Sequence, residues 1–311
     1  MAIGNLYSGY VINPTWELTP RIFISPFSSS EISALDENLY IKISTGKSYL
    51  DESFGNYCLA PKGRLAIEKV LSNYHLENND VVTILTTSAN FYISSCVTSV
   101  IERFCKWSRK IEKNTKLVFV NHEFGYPYKG LKAVADLGFP IVEDCAHTFF
   151  SDGSKAEIGK YSDFVIYSFP KALPMQLGAA ITSNRFPLEA DANEMYAKYI
   201  FSKLSDLIPK IEDIKEKRLC VYKRFEEGLR PLGIRPYFEL EDGVIPGVFL
   251  FKWNDHINYP KLKEFMQSNG IESSVFYGQH AFYIPCHQNL SYDQCGYIMA
   301  LLKYFSEYYN D

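Results

Sequence analysis

Three short apolar runs in the middle of the chain constrain its fold more than any other feature of the sequence. The runs are residues 139–142, 163–169 and 178–182. Short runs rich in β-branched and aromatic residues, separated by turn residues, are typical of buried strands. The first run ends shortly before Asp144, and the second ends shortly before Lys171. Because ligands of open α/β sheets bind beyond the carboxyl ends of the strands, these two charges are predicted to face one pocket.

A carboxylate and a lysine at neighbouring strand ends are the pair that pyridoxal phosphate requires. The lysine amine attaches to the cofactor aldehyde, and the carboxylate keeps the pyridine nitrogen protonated so that the ring withdraws electrons. Spacing alone also allows a plainer interpretation, in which Asp144 caps a helix and Lys171 is a surface charge. The pair therefore needs support from the sequence around it.

The sequence around this pair resembles the DegT/DnrJ family of pyridoxal-phosphate sugar aminotransferases. Residues 142–147 read VEDCAH and residues 161–171 read YSDFVIYSFPK, similar to the family's (I/V)EDAA(Q/H) and FSF…K segments. The resemblance implies that Asp144 pairs with the pyridinium nitrogen and that Lys171 carries the cofactor. It also implies that His147 contacts the phenolic oxygen of the ring and that Ser168 lies near the phosphate.

The chain departs from the family pattern in three places. The connection between Ser168 and Lys171 is two residues shorter than usual, and Gly178-Ala179 replaces a glycine pair. The G-x-N-x-R segment that reaches the partner subunit's phosphate in the family is not found here. The chain is also some tens of residues shorter than typical members. These departures leave the substrate pocket and the contact between subunits open.

Gly63 and Arg64 are the candidates for binding the cofactor phosphate. They open an amphipathic helical pattern, and a helix start offers unpaired amides and a positive dipole end to an anion. Arginine adds a two-pronged donor. Taken alone, such a pair is more often an ordinary helix N-terminus than a phosphate site. In the family, this position holds the S-G-(T/R)-x-A-L segment that binds the phosphate.

An aromatic ring and two histidines complete the candidate site by resemblance. Phe91 aligns with the residue that stacks on the pyridine ring, although Tyr92 competes for that role and core packing is the alternative for Phe91. His122 and His280 are candidates for contact with the substrate, and a structural role is equally open for His122. His287 is expected to be a structural or capping residue.

Composition excludes several other classes of function. The net charge is −4 and the isoelectric point is near 5.9, with no long basic run, so nucleic acid is not an expected partner. No apolar run is long enough to span a membrane, and we expect a cytoplasmic protein. The seven cysteines lack zinc-ligand spacing, so no metal is predicted. Residues 46–48 read GKS, but residue 41 is Ile rather than the glycine of a phosphate loop.

The sequence therefore predicts an α/β protein of the fold-type I pyridoxal-phosphate transferases. Residues 1–190 would form a large, mostly parallel sheet domain that includes the N-terminal segment, and residues 191–311 a linking helix and a smaller C-terminal lobe. By resemblance, the protein moves an amino group, usually from glutamate, to a keto group of a nucleotide-linked deoxysugar for glycan biosynthesis, as a homodimer. The alternatives are another pyridoxal-phosphate reaction on a sugar, or a non-catalytic protein that has kept the fold.

Overall fold

The computed structural model groups the chain into two compact units. It describes residues 6–7, 10–11, 21–27, 43–188 and 194–308. The larger unit comprises the described residues of 27–212 together with 243–245. The smaller unit comprises the described residues of 1–26, 213–242 and 246–311. The predicted domain ranges, 1–190 and 191–311, divide the chain differently and stay a prediction. Parts of both ranges lie outside the described residues, namely 1–5, 8–9, 12–20, 28–42, 189–193 and 309–311.

Strands and helices alternate through most of the chain. The strands are β1 (Leu6–Tyr7), β2 (Tyr10–Val11), β3 (Tyr57–Ala60), β4 (Val81–Thr86), β5 (Lys106–Ser108), β6 (Thr115–Asn121), β7 (Ile141–Asp144), β8 (Phe164–Ser168), β9 (Ala179–Thr182), β10 (Arg235–Pro236), β11 (Val248–Lys252), β12 (Ser274–Val275) and β13 (Phe282–Pro285). The α-helices are α1 (Ile43–Phe54), α2 (Gly63–Leu71), α3 (Ser95–Ile101), α4 (Leu131–Ala135), α5 (Phe169–Ala172), α6 (Met195–Leu207), α7 (Ile211–Leu229), α8 (Tyr259–Ser268) and α9 (Tyr292–Tyr308).

The large unit is built on a seven-stranded sheet of order β3-β9-β8-β7-β6-β4-β5. Strand β9 is antiparallel to both of its neighbours, and the other adjacent pairs are parallel. Helix α2 packs on β8 and β9 and against α3. Strands of such sheets are covered on both faces and so read as continuous apolar runs. The predicted mostly parallel α/β fold is confirmed.

The register of the central strands aligns their carboxyl ends. Thr86 at the end of β4 pairs with Asn121 at the end of β6, and Asn121 pairs with Asp144 at the end of β7. Asp144 in turn pairs with Ile166, two residues before the end of β8 at Ser168. This register places the polar ends of neighbouring strands in one row.

Two predicted helices differ from the observed ones for clear local reasons. The apolar pattern over residues 91–104 predicted one helix, whereas α3 begins at Ser95 because the Ser94 hydroxyl accepts a hydrogen bond from the Cys96 amide at 3.2 Å. The described part of the charged stretch 188–232 contains two helices, α6 and α7. A 3₁₀ turn at Ile208–Lys210, which contains Pro209, separates them. The GKS segment lies inside α1.

The small unit packs α7, α8 and α9 with an antiparallel sheet of order β10-β11-β13-β12. Its core is rich in aromatic residues, including Tyr222, Phe249 and Phe282. Residues 21–26 belong to this unit. Within it, the Ile22 amide donates to Gly270 O at 3.0 Å, and Ile22 O accepts from the Glu272 amide at 2.9 Å. No helix among the described residues is both long and apolar enough to span a bilayer.

Candidate cofactor site

Asp144 is a buried carboxylate at the end of β7. Only 5% of the residue is exposed. Its Oδ1 accepts from the Ala146 amide at 2.9 Å, and its Oδ2 accepts from Asn121 Nδ2 at 3.2 Å. Burial raises the pKa of Asp144, while the Ala146 amide and the charge of Lys171 act in the opposite direction. The side chain is thus held in one orientation by its neighbours, with the Lys171 ammonium near it.

Lys171 lies in the single turn of helix that follows β8. Pro170 sits in the first turn of α5, where proline needs no amide partner, and helix α5 therefore begins directly at the strand end. This turn forms the connection that is two residues shorter than in the family. The Lys171 side chain is exposed, and its charge acts on both Asp144 and Cys96. The charge of Lys171 therefore acts on the Asp144 carboxyl group, and the binding of one cofactor by both residues stays a prediction.

Gly178 explains why one glycine is kept where the family has two. Its φ is +132°, and a Cβ there would lie 2.9 Å from the ring of Phe169, the first residue of α5. Its carbonyl accepts from the Phe169 amide at 3.0 Å, and its amide donates to Pro61 O at 2.8 Å. Gly178 thus ties the lysine turn to the segment before α2, and the second position of the pair, Ala179, needs no such freedom.

The start of α2 lies against the end of β8. A Cβ on Gly63 would lie 3.6 Å from both Cβ and Oγ of Ser168. The N-cap residue of this nine-residue helix is Lys62, whose side chain has no oxygen to accept from the first-turn amides. Helix amides beside a serine hydroxyl form a cradle suited to a phosphate. Gly63 and Ser168 therefore lie side by side, and their binding of the cofactor phosphate stays a prediction.

Arg64 contacts a residue that the sequence did not indicate. Its Nη2 donates to Cys96 Sγ at 3.0 Å, which joins the start of α2 to the first turn of α3. Both residues are exposed. No local sequence pattern predicts this contact between two helices, because Arg64 and Cys96 lie 32 residues apart in the chain.

Arg109 supports the loop after β4, which carries the aromatic candidates, through hydrogen bonds. Phe91 is 73% exposed and Tyr92 is 45% exposed, so both rings are available to a ligand. Arg109 donates to Ile84 O, to Thr86 Oγ1 at 3.1 Å and to Asn90 O at 2.6 Å. Burial lowers the pKa of Arg109, and the charge of Glu123 opposes that shift. Sequence reasoning missed this arginine because it follows a short edge strand.

The loops after β4 and β6 are tied to each other. Glu123 Oε2 accepts from the Ser88 amide at 2.6 Å, and Thr87 Oγ1 donates to Tyr126 O at 2.7 Å. Phe124 adopts φ +54°, a left-handed conformation that is uncommon for non-glycine residues. Its ring lies 5.7 Å, centroid to centroid, from the ring of half-buried His147. His147 is therefore placed by the loop that follows β6.

His122 supports the site from within the protein rather than lining it. Its side chain has no exposed area. Nδ1 accepts from the Tyr128 amide at 2.8 Å, so Nε2 carries the proton and donates to Glu143 Oε2 at 2.8 Å. Glu143 Oε1 accepts from the Gly159 amide at 2.8 Å. With both ring nitrogens engaged, His122 offers no atom to a substrate in this conformation, which corrects its candidacy for substrate contact.

The two remaining histidine candidates belong to the small unit. His280 is exposed, its Nε2 lies 3.3 Å from Asn254 O, and its ring packs 4.5 Å from that of Tyr259. His287 is buried, and its Nε2 donates to Phe23 O at 2.9 Å. His287 is therefore a structural residue, and a role for His280 with substrate stays a prediction.

The residues at the strand ends fit pyridoxal phosphate. An oriented carboxylate with a lysine nearby suits the ring and its aldehyde, and the cradle of Gly63 and Ser168 suits the phosphate. Among the described residues, no group of three or more His, Cys, Asp or Glu side chains could hold a metal ion.

Comparison with known proteins agrees with this assignment. The model of the DegT/DnrJ/EryC1/StrS aminotransferase family matches residues 104–195, less than a third of the chain. That range includes Asp144, His147, Ser168 and Lys171 but not Gly63, Arg64 or Phe91. No curated protein matches the chain.

Solved structures match over nearly the whole chain. The aminotransferase TlmJ from Streptoalloteichus hindustanus superposes with a TM-score of 0.68 at 13% identity, over 87% of this chain and 96% of that one. The putative sugar aminotransferase Spr1654 from Streptococcus pneumoniae, in its PMP form, gives 0.67 at 16% identity, over 86% and 90%. NtdA from Bacillus subtilis with bound PMP gives 0.66 at 14%, over 96% and 87%.

At these identities the solved structures establish the fold, and the family model adds the residues around the strand-end pair. The resemblance read from the sequence is thereby confirmed over residues 104–195, which match the DegT/DnrJ/EryC1/StrS aminotransferase family.

Proposed function

We propose that this protein transfers an amino group from an amino acid such as glutamate to the keto group of a nucleotide-linked deoxysugar, in the cytoplasmic biosynthesis of a surface polysaccharide or related glycan. The observation that carries the proposal is the meeting of Asp144, Lys171 and the Gly63–Ser168 cradle at the carboxyl ends of the strands. The sugar is proposed because the pneumococcal neighbour is described as a putative sugar aminotransferase.

Each site residue has a defined task in this reaction. Pyridoxal phosphate, when bound, supplies a ring that withdraws electrons from the substrate carbon. Lys171 Nζ would hold the cofactor and, once freed, would serve as the general acid and base that carries a proton to or from the substrate carbon. Asp144 keeps the proton on the ring nitrogen. His147 contacts the phenolic oxygen.

The remaining residues orient the cofactor. Phe91 covers the ring and limits its tilt. Gly63, Arg64 and Ser168 bind the phosphate through amides, a guanidinium and a hydroxyl. His280 is proposed for the substrate side. We also propose a homodimer, following the family, since its sites lie between subunits.

The first test is the visible absorbance of the purified protein mixed with pyridoxal phosphate. We expect a band that borohydride reduction fixes on Lys171 and that glutamate bleaches. Lys171→Ala should abolish the band, whereas Lys132→Ala, at an exposed lysine of the same unit, should keep it. Absence of the band in the unmodified protein would overturn the proposal and favour a non-catalytic protein that has kept the fold.

The substrate half needs its own test, with nucleotide-linked keto sugars and the same sugars without the nucleotide. Amination of the nucleotide-linked sugars with glutamate as donor supports the proposal. Amination of unlinked sugars only would refute the nucleotide-linked part while leaving the cofactor chemistry intact. Light scattering of the purified protein checks the homodimer.

A further inference from the structure

The contact between Arg64 and Cys96 lies beside the phosphate cradle and has no part in the proposed reaction. Arg64 follows Gly63 at the start of α2, and its Nη2 donates to Cys96 Sγ at 3.0 Å. For a bond to sulfur, this distance is short. The guanidinium proposed to bind the phosphate is thus already engaged by a sulfur atom.

The surroundings of Cys96 favour the thiolate form. Partial burial opposes ionisation, but the hydrogen bonds from Arg64 and Ser94 and the positive charges of Arg64 and Lys171 together lower the pKa of the thiol. Arg64 reaches it from α2 and Lys171 from α5, so the two charged groups that act on the thiol from neighbouring elements are both cations. The contact also raises the pKa of Arg64.

Cys96 differs in this respect from most other cysteines of the chain. All seven are free thiols, and five of them are buried: Cys58, Cys105, Cys145, Cys286 and Cys295. Burial raises the pKa of each of those five thiols. The other exposed thiol, Cys220, lies on α7 in the small unit and provides an internal reference.

We propose that the Cys96 thiolate is the counter-ion that positions Arg64 at the start of α2 and that a phosphate group must displace it. This inference rests on the proposed phosphate-binding role of Arg64. A thiolate and a phosphate dianion bound to the same guanidinium repel each other, because like charges at such short range disfavour each other's charged forms. Arrival of the dianion therefore favours release of the sulfur from Arg64. The released thiolate, deprived of its partner, takes up a proton.

This exchange has two measurable consequences. Phosphate binding is linked to protonation of Cys96, so phosphate affinity falls as pH rises through the titration of the thiol, by up to about tenfold per pH unit for one proton taken up. By reciprocity, bound phosphate raises the pKa of the thiol and lowers its reactivity. Cys96 is therefore a positioning residue whose protonation state reports on the phosphate cradle.

The first experiment measures alkylation of the apo protein by iodoacetamide across pH, with each cysteine followed by mass spectrometry. The thiolate sulfur forms a bond to the reagent's carbon and iodide leaves, so the rate follows the thiolate fraction. We expect Arg64→Gln to slow alkylation of Cys96 several-fold near neutral pH and to leave Cys220 unchanged. Equal pH profiles for Cys96 in both proteins would overturn the proposal.

The second experiment adds inorganic phosphate to the unmodified protein, which needs no variant and so avoids a folding defect. At pH values where phosphate is already a dianion, we expect it to protect Cys96 but not Cys220. Protection should be absent in Arg64→Gln. If phosphate leaves the Cys96 rate unchanged, the displacement step is wrong.

The third experiment compares Cys96→Ser with the unmodified protein, using phosphate affinity against pH as the readout. Serine keeps a hydrogen-bond acceptor but does not ionise in this range. We expect the fall in affinity with rising pH to disappear in Cys96→Ser. A persisting fall would overturn the linkage. Failure of the proposed function would appear as the absence of the absorbance band. Failure of this inference would appear in the alkylation rates, which are measured without cofactor, so the two failures are distinguishable.

Discussion

Buried polar side chains in the large unit and in the small unit have different kinds of partners. At the strand ends of the large unit, Asp144 is held by Asn121 and Ala146 and lies near an exposed lysine. In the small unit, His287 bonds to Phe23 O through Nε2 and accepts from the Asn289 amide through Nδ1. The partners of Asp144 orient its carboxylate beside the proposed cofactor position. The partners of His287 instead join separate segments of the chain.

The same contrast appears between two adjacent residues of β7. Glu143 and Asp144 point to opposite faces because side chains alternate along a strand. Glu143 has both oxygens engaged, by His122 and Gly159, and is fully buried. Asp144 is 5% exposed and lies near the Lys171 ammonium. Burial of a carboxylate therefore does not identify a site, and the kind of partner does.

The largest effect is expected from Asp144→Asn. The amide keeps the shape of the side chain but loses the charge that holds a proton on the pyridine nitrogen. Turnover should fall by about 10²–10³-fold, the scale of losing one preorganised electrostatic group. Single-turnover kinetics with glutamate, followed by absorbance, measure this directly.

The matched control for that prediction is Asp163→Asn. Asp163 is equally buried, in the same unit, but it precedes β8 and pairs with Arg185 and Tyr74. The Asp163→Asn substitution should lower the stability of the protein and change the rate of the half-reaction with glutamate only a little. Equal losses of turnover in both variants would contradict the role of Asp144.

Glu143→Gln should act on stability instead of chemistry. A glutamine amide group cannot accept from the protonated Nε2 of His122 while its Oε1 accepts from Gly159, so one buried donor loses its partner. We expect the free energy of unfolding to fall by about 2 kcal/mol. Urea unfolding measures it, with Glu112→Gln at an exposed glutamate as the control. A loss of turnover without a loss of stability would show that Glu143 belongs to the site.

The sequence predicts those features of the structure that depend on residues close together in the chain. The strands that end at Asp144 and Ser168 were predicted because apolar runs between turn residues are local patterns. Their register then places the charges at one edge. The fold and the strand-end pair were therefore accessible from a short window of sequence.

Contacts between distant segments were not accessible in that way. The bond from Arg64 to Cys96 spans two helices, and the brace from Arg109 depends on where an edge strand of three residues ends. Ile22 pairs with Ile271, which is far along the chain, and residues 21–26 lie in the small unit. No local pattern encodes such pairings.

The brace under the aromatic loop gives an intermediate prediction. In Arg109→Lys, an ammonium cannot reach Ile84 O, Thr86 Oγ1 and Asn90 O together, so the loop that carries Phe91 loses part of its support. Cofactor affinity should fall by about tenfold, the scale of one hydrogen bond to a charged group. Fluorescence titration with pyridoxal phosphate measures it, and Arg103→Lys, at an exposed arginine paired with Glu68, is the control. Unchanged affinity with lower stability would make the brace purely structural.

The smallest expected effect concerns His287 and pH. Burial, with a contribution from the charge of Arg218, lowers the pKa of His287 to about 3, below the value near 6.5 of an unfolded chain. The unfolded state therefore binds the proton more readily, and stability present above about pH 6.5 is lost as pH falls toward 3. Between pH 7 and 5.5 this amounts to roughly 1 kcal/mol.

Hydrogen exchange of the small-unit peptides around residues 21–26 and 270–290 measures this loss against pH. His287→Gln should remove the slope, because a glutamine amide can still donate to Phe23 O but does not titrate. The exposed His256 provides the control, since His256→Gln should keep the slope. A slope that survives His287→Gln would mean that other groups set the acid sensitivity of this unit. His287 would then still join the two segments, but its protonation would not control the stability of that contact. The contrast with Asp144 would then depend only on the hydrogen-bond partners of the two side chains.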